Sequence, residues 1–384
     1  MALIPRALAQ TVAKATPPKA VAIFGPRRIG KTTMLEQLVG TKKARWYNGD
    51  AFGTAEALHF KTPEDAKNAL FQAPALVIDE AHKIPDIGSI VKLLVDVNDH
   101  LEKPTQIFVT SSSPFYLSSI KESALGRVVP RQMWPLSVSE IAQFTSWGKV
   151  LESIEHYLVY GLMPNAYTNP EEARGFLTDY CDGLLLRDIF DQSPIRLSDK
   201  FRRLVQILAQ NIGSEVSSDN LARECGVSKN TVDDYIAKLE QASIVRVLPS
   251  YSRNLANELK KGKKIYFFDN GIRNAILQNF SPVAERSDAG ALWENFFFME
   301  RVKLHDTRRD FTKMYFWRTT GSGSSEVDFI EVLDNKIQAF ECKMSASVKS
   351  TRSAKKFLST YLEAQLEVVS PQDGMRIFFG DSKD

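Results

Sequence analysis

The chain has 384 residues, too many for one hydrophobic core, and its 43% of apolar and aromatic residues is ample for two or three packed domains. Its net charge of +3 comes from 49 basic against 46 acidic residues, so overall charge favours no partner and only a local cluster can argue for nucleic acid. Cys181, Cys225 and Cys342 are far apart and odd in number, which excludes a disulfide framework and zinc-ligand spacing and fits a reducing, cytoplasmic compartment. No apolar run approaches membrane-spanning length and residues Met1 to Ala20 lack the apolar centre of a signal peptide, so no membrane partner is expected.

In residues 1–150, the apolar run Val21 to Phe24 predicts a strand that ends in Gly25, Pro26, Arg27, Arg28, Ile29, Gly30, Lys31, Thr32 and Thr33. That spacing is the phosphate-binding loop. Gly25 and Gly30 permit a tight curl whose N–H groups, with the start of the next helix, cradle phosphate oxygens. Lys31 is placed to reach the outer phosphates and Thr32 to ligate magnesium, which predicts binding of a nucleoside triphosphate, ATP, with Mg2+. Met34, Leu35 and Leu38 give the following helix a face to bury.

A second strand, Leu76 to Asp79, ends in two acids with separable work. Asp79 is expected to hold magnesium, and Glu80 to orient and deprotonate the water that attacks the γ-phosphate. A capped helix is expected from Asp86 onward. The run Gln106 to Ser113 reads as another buried strand; its Ser111 or Ser112 either senses the γ-phosphate or caps a helix starting near Pro114. Arg45 to Asn48 and Val128 to Trp134 complete a five-stranded parallel sheet with ligands at the carboxyl ends. Arg127 and Arg131 are candidates for a charge-neutralising finger, with a solvated arginine as the plain alternative.

Residues 151–255 contain Leu221 to Leu239, which has the shape of a helix-turn-helix. Gly226 is expected to make the turn and Ser228 to cap the second helix, whose Val232, Ile236 and Leu239 share one face. Lys229, Asn230 and Thr231 stand where a recognition helix meets bases, and Ile244 to Leu248 adds a strand as in a winged form. Asp233, Asp234 and Glu240 dilute the positive charge, so DNA binding and protein packing are both open readings. Arg253, Lys260, Lys261, Lys263 and Lys264 around Gly262 form either a wing-like basic loop or a solvated turn.

Residues 256–384 predict, in order, a helix (Trp293 to Val302), strands (Met314 to Arg318, Glu326 to Val332, Ile337 to Lys343), a helix (Lys349 to Leu362) and a terminal strand (Met375 to Phe379). Asp328 and Glu341 fall on neighbouring antiparallel strands, where two carboxylates converge on one cation, and Glu341 and Lys343 share a face. Glu294 is placed to complete that metal site. A cross-strand salt bridge is the structural alternative. The order and the Asp328, Glu341, Lys343 pattern resemble the restriction-endonuclease-like fold.

Taken together, the phosphate loop, Val77 to His82, Gly126-Arg127, the tract Lys264 to Gly271 and the acidic strands resemble the prokaryotic AAA-type ATPase family with a C-terminal DUF4143 domain. The resemblance implies an α/β fold: an AAA+ P-loop sheet over 1–150, a helical and winged-helix domain over 151–255 and a restriction-endonuclease-like domain over 256–384. It implies an ATP hydrolase with Glu80, Lys31 and Arg127 as catalytic residues, a role in DNA processing or defence with DNA (branched DNA included) as the expected partner, a homo-oligomer in which a finger acting in cis or in trans is open, and a nuclease-like tail using Lys343. The alternative is a nucleotide-gated regulatory ATPase with a non-catalytic C-terminal domain. Two departures are Tyr160 to Asn165 in place of the usual Gly-Gly-Phe-Pro-Glu turn, and Cys342 in place of an aliphatic residue.

Overall fold

The computed structural model describes residues 3–41, 43–71, 73–112, 125–185, 199–251, 262–319, 324–347, 350–372, 374 and 376–379. They divide into two compact units, the first built mainly on Met1–Trp134 and the second on Pro135–Gly183, Ile195–Glu240 and Ile244–Asp384.

In the first unit the chain forms β1 (Ala20–Phe24), β2 (Ala44–Asn48), β3 (Ala75–Asp79), β4 (Gln106–Ser111) and β5 (Val128–Gln132). They pair in parallel in the order β2-β3-β4-β1-β5. β1 and β3 are buried at every position, which is why they read as unbroken apolar runs instead of alternating ones. β5 carries Pro130, tolerated because β5 is an edge strand. Helices Lys31–Val39, Pro63–Leu70 and Ile87–Asn98 flank the sheet's sequence. Ile87, Val91, Leu94 and Val95 of the last pack with Ala22, Phe24, Ile78 and Val109 in one core. The expected helix from Asp86 forms, but Asp86 makes no side-chain cap and instead adopts a left-handed φ of 53°. Parallel pairing brings the carboxyl ends of β1, β3 and β4 together, so Gly25, Glu80 and Ser112 emerge side by side.

The second unit begins with helices Val138–Phe144, Ile154–Tyr160, Ala173–Tyr180 and Asp199–Gln210. The two expected helices follow as Ser218–Cys225 and Lys229–Gln241. Gly226 ends the first at φ 64°, and Ser228 Oγ accepts the Thr231 N–H at 3.1 Å, as read from the sequence. Val232, Ile236 and Leu239 are buried. β6 (Glu215–Val216), β7 (Val245–Pro249) and β8 (Lys263–Phe267) form an antiparallel sheet in the order β6-β8-β7. Lys263 and Lys264 therefore belong to a strand and not to a basic loop, and Lys264 is fully buried among acids; Arg253, Lys260 and Lys261 lie outside the described residues.

The tract after β8 is built for packing. Asp269 caps helix Asn270–Ile276 by accepting the Ile272 N–H at 3.2 Å, and its other oxygen accepts the Leu162 N–H at 2.6 Å. Gly271 sits where a Cβ would come within 2.1 Å of the Tyr160 carbonyl. Helix Ala289–Arg308 then packs Phe297 and Phe298 on Phe329. β9 (Lys313–Arg318), β10 (Glu326–Leu333), β11 (Lys336–Cys342) and β12 (Gln365–Val369) make a sheet ordered β12-β11-β10-β9.

β9, β10 and β11 match expectation, and helix Arg352–Thr360 lies inside the expected span, of which Lys349 is outside the described residues. The terminal strand does not: residues Arg376–Phe379 form a helical turn, Met375 is outside the described residues, and β12 at Gln365–Val369 takes the place beside β11. A parallel crossover from β11 through one helix returns within a few residues of the helix end, and β12 escaped notice because its polar and apolar residues alternate, as an edge strand's do.

Candidate functional site

At the carboxyl end of β1, Gly25 and Gly30 take φ values of +154° and +91°, which L-residues rarely adopt. The curl lets Lys31, itself buried, fold back so that its ammonium donates to the Gly25 and Pro26 carbonyls at 2.8 and 2.9 Å. Helix Lys31–Val39 starts at Gly30 without a side-chain cap, and its positive N-terminal end is of the kind that attracts an anion. In the loop Pro26 and Ile29 are buried, Arg27 is half-buried and Arg28 exposed, and Thr33 in the first turn of the helix is half-buried. The cradle, the lysine and the uncapped helix start fit the phosphates of a nucleotide.

β3 delivers the two acids beside this loop. The Thr32 hydroxyl donates to Asp79 Oδ2 at 2.9 Å, a pair of hard oxygen groups of the kind magnesium takes. Thr110 of β4 donates its hydroxyl to Asp79 Oδ1 at 2.5 Å and accepts the Glu80 N–H at 3.0 Å, fixing both acids from one side chain. Glu80 is held with a left-handed φ of 47°. Ser112 donates to its Oε2 at 3.1 Å, and His82 Nδ1 lies 3.2 Å from the same oxygen. Burial, helped by Lys83 and Arg27, pushes the His82 imidazole down to about 4, so it is neutral at physiological pH. Ser111 ends β4 fully buried, one residue before the serine that touches Glu80.

Arg127 does not join these residues within its own chain. It precedes β5, its carbonyl accepting the Ala20 N–H at 3.0 Å at the amino end of β1, and its guanidinium pairs with Asp96. Arg131 sits within β5 opposite Ile23, with Nη1 on the Pro130 carbonyl at 2.9 Å.

In the second unit, the register Phe329 with Phe340, carried one residue further, sets Asp328 opposite Glu341. Lys343 Nζ lies 3.8 Å from Asp328 Oδ2 and 4.0 Å from Glu341 Oε2, so the acids and the lysine do converge. Glu341 also accepts the Thr351 hydroxyl at 2.6 Å, and Asp328 the Cys342 N–H at 2.7 Å. Glu294 joins from helix Ala289–Arg308, but through protein donors: Tyr266 at 2.6 Å and Lys264 at 3.1 Å. Burial and the charge of Asp328 push Glu294 up to about 7. Among the described residues no group of three or more His, Cys, Asp and Glu is arranged to hold a metal ion.

Family models match three stretches: residues 17–142 an AAA domain, residues 151–283 a domain of unknown function (DUF8612), and residues 289–382 a domain of unknown function (DUF4143). The chain is an AAA-domain protein with a C-terminal DUF4143 domain. An uncharacterized protein of Mycobacterium tuberculosis is 28% identical over 357 residues, covering 91% of this chain and 76% of its own length. One of Methanocaldococcus jannaschii is 23% identical over 383 residues, covering 93% and 82%. The solved Walker-type ATPase of Pyrococcus abyssi is 11% identical, with a TM-score of 0.46 over 70% of this chain and 94% of that one.

The AAA domain has side chains that sequence reasoning passed over. Thr110 and His82 were visible as polar residues in or after apolar strands, a pattern that marks a buried hydrogen-bonding role without saying to what. In the second unit, Lys264 and Tyr266 reach Glu294 from a strand 30 and 28 residues earlier in the chain, a pairing that no local spacing encodes.

Proposed function

We propose that the AAA domain is a magnesium-dependent ATPase, with Gly25 to Thr33 holding the triphosphate and Asp79 and Glu80 driving hydrolysis. The observation that carries this is the 2.9 Å contact of Thr32 with Asp79, which supports reading the two oxygen groups as magnesium ligands next to Glu80. Magnesium, when bound there, would neutralise charge on the phosphates. Lys31 exchanges its contacts on the loop carbonyls for phosphate oxygens, Glu80 takes the proton of the attacking water, and of the two candidate serines it is Ser112, in contact with Glu80, rather than the fully buried Ser111, that reads the γ-phosphate end of the site. Arg127, directed away from its own loop, serves as the finger for the site of a neighbouring copy in a homo-oligomer. The AAA module is assigned to residues 1–150.

The work done with this energy is assigned to DNA, branched DNA included, held by residues 151–255 in a winged-helix form that exposes Lys229 and Asn230, and by a nuclease-like domain at 256–384. The cytoplasm is the compartment. The test is the ATPase rate with and without duplex and branched DNA over a series of salt concentrations. Stimulation that weakens steeply with salt supports the reading; a rate indifferent to DNA sinks it.

A second reading, a nucleotide-gated regulatory ATPase whose C-terminal domain only binds a partner, is favoured by one observation. The cations of the second helix are neutralised locally, Lys229 by Asp219 at 2.8 Å and Lys238 by Asp234 at 3.0 Å. An ATPase rate blind to DNA but altered by a protein partner would select it.

A further inference from the structure

The carboxylate cluster of the DUF4143 sheet already contains a cation. Lys264 is fully buried at the start of β8, and its ammonium lies 2.7 Å from Glu326 Oε1, 3.1 Å from Glu294 Oε1 and 4.0 Å from Asp328 Oδ1. The Asp328 carbonyl is a fourth oxygen at 3.4 Å. We propose that Lys264 is the resident cation of this cluster, that the cluster takes no divalent ion, and that the domain recognises its partner without metal-dependent phosphodiester cleavage.

Two further observations support this. The carboxylate oxygens on the far side of the cluster are met by protein donors: Asp328 Oδ2 by the Cys342 N–H at 2.7 Å, and Glu341 Oε1 by Thr351 at 2.6 Å. Lys343 Nζ stands 3.8 Å from that same Asp328 Oδ2 and 4.0 Å from Glu341 Oε2, so a divalent ion placed between the acids would face its ammonium as well as that of Lys264 and compete with both. The position of Lys264 further explains why it is retained in the interior. It ties β8 to helix Ala289–Arg308 through Glu294 and to β10 through Glu326, joining two sheets of the unit around one charge.

The experiment is Mn2+ binding to the full chain without nucleotide, read by the loss of the free-ion electron paramagnetic resonance signal, in the natural protein and in Asp328→Asn and Glu341→Gln. The expected result is no Mn2+ site that depends on either acid; a site that persists in both variants lies elsewhere and agrees with the proposal. A site in the natural protein that either substitution abolishes overturns it. Lys264→Met adds a second arm: removing the ammonium uncovers the acids, so about 1 mM Mn2+ is expected to raise the melting temperature of Lys264→Met by more than it raises that of the natural protein, and an equal rise in both overturns the proposal. If Lys264→Met does not fold, the titration of the natural protein and the acid variants decides alone. The outcome is independent of the ATPase reading, since neither arm measures nucleotide turnover.

Discussion

The two glycines of the phosphate loop look alike in sequence, yet the structure separates what each one does, so Gly25→Ala and Gly30→Ala are expected to fail differently. A Cβ on Gly25 would lie 2.3 Å from the Met133 carbonyl oxygen and 2.4 Å from Ile29 Cδ1, at a φ of +154°. The Met133 carbonyl cannot retreat, because the Met133 N–H is anchored on the Phe24 carbonyl at 2.7 Å where β5 runs beside β1. Overpacking of this kind costs about 1–3 kcal/mol, and backbone strain adds about 1–2 kcal/mol. Among the described residues a Cβ on Gly30 meets nothing nearer than Arg6 Nη1 at 3.8 Å, so the strain of its φ of +91° is what remains, about 1–2 kcal/mol. Thermal unfolding and titration with a fluorescent ATP analogue measure both. Gly25→Ala is expected to lose at least tenfold more nucleotide affinity than Gly30→Ala and to melt lower. Equal losses, or a greater loss for Gly30→Ala, would refute the steric reasoning.

Three further outcomes follow from buried polar groups. The folded-state pKa of His82 is depressed to about 4, so its contribution to stability is complete above 6.5 and is lost as pH falls from 6.5 toward 4. Denaturant unfolding across that range is expected to show about 2 kcal/mol of loss, after allowance for screening, that His82→Gln removes. Arg301 grips Glu331 with two bonds at 2.7 and 2.6 Å, so Arg301→Met is expected to cost about 3–5 kcal/mol, with much of it recovered in Arg301→Met/Glu331→Leu; an additive double variant would argue against the pair. Asp269→Ala strands the Leu162 and Ile272 N–H groups and is expected to cost about 2–4 kcal/mol, whereas Asp269→Asn, which keeps an acceptor, is expected to cost less; equal midpoints in urea would contradict this.

What the sequence made legible was local: the phosphate loop, β3 with its two acids, the turn at Gly226 and the alternation that pairs Asp328 with Glu341 all lie within short windows. What it hid was set by distance in the chain. Lys264 reads as one of a basic cluster until β8 carries it under Glu294 and Glu326, and Thr110 reads as a strand residue until β4 lies beside β3. β12 was missed because an edge strand with polar alternate positions buries too little to stand out. Arg127 reads as a candidate finger from its segment of the chain, but in the folded chain its guanidinium pairs with Asp96.

The central claim is that Glu80 does the chemistry of hydrolysis while the loop does the binding. Single-turnover ATP hydrolysis by Glu80→Gln tests it most directly, because glutamine keeps the acceptor that Ser112 reaches at 3.1 Å but cannot take a proton. The account predicts a rate lowered by about 10²–10⁴ with nucleotide affinity nearly unchanged. A variant that hydrolyses ATP as fast as the natural protein would contradict it.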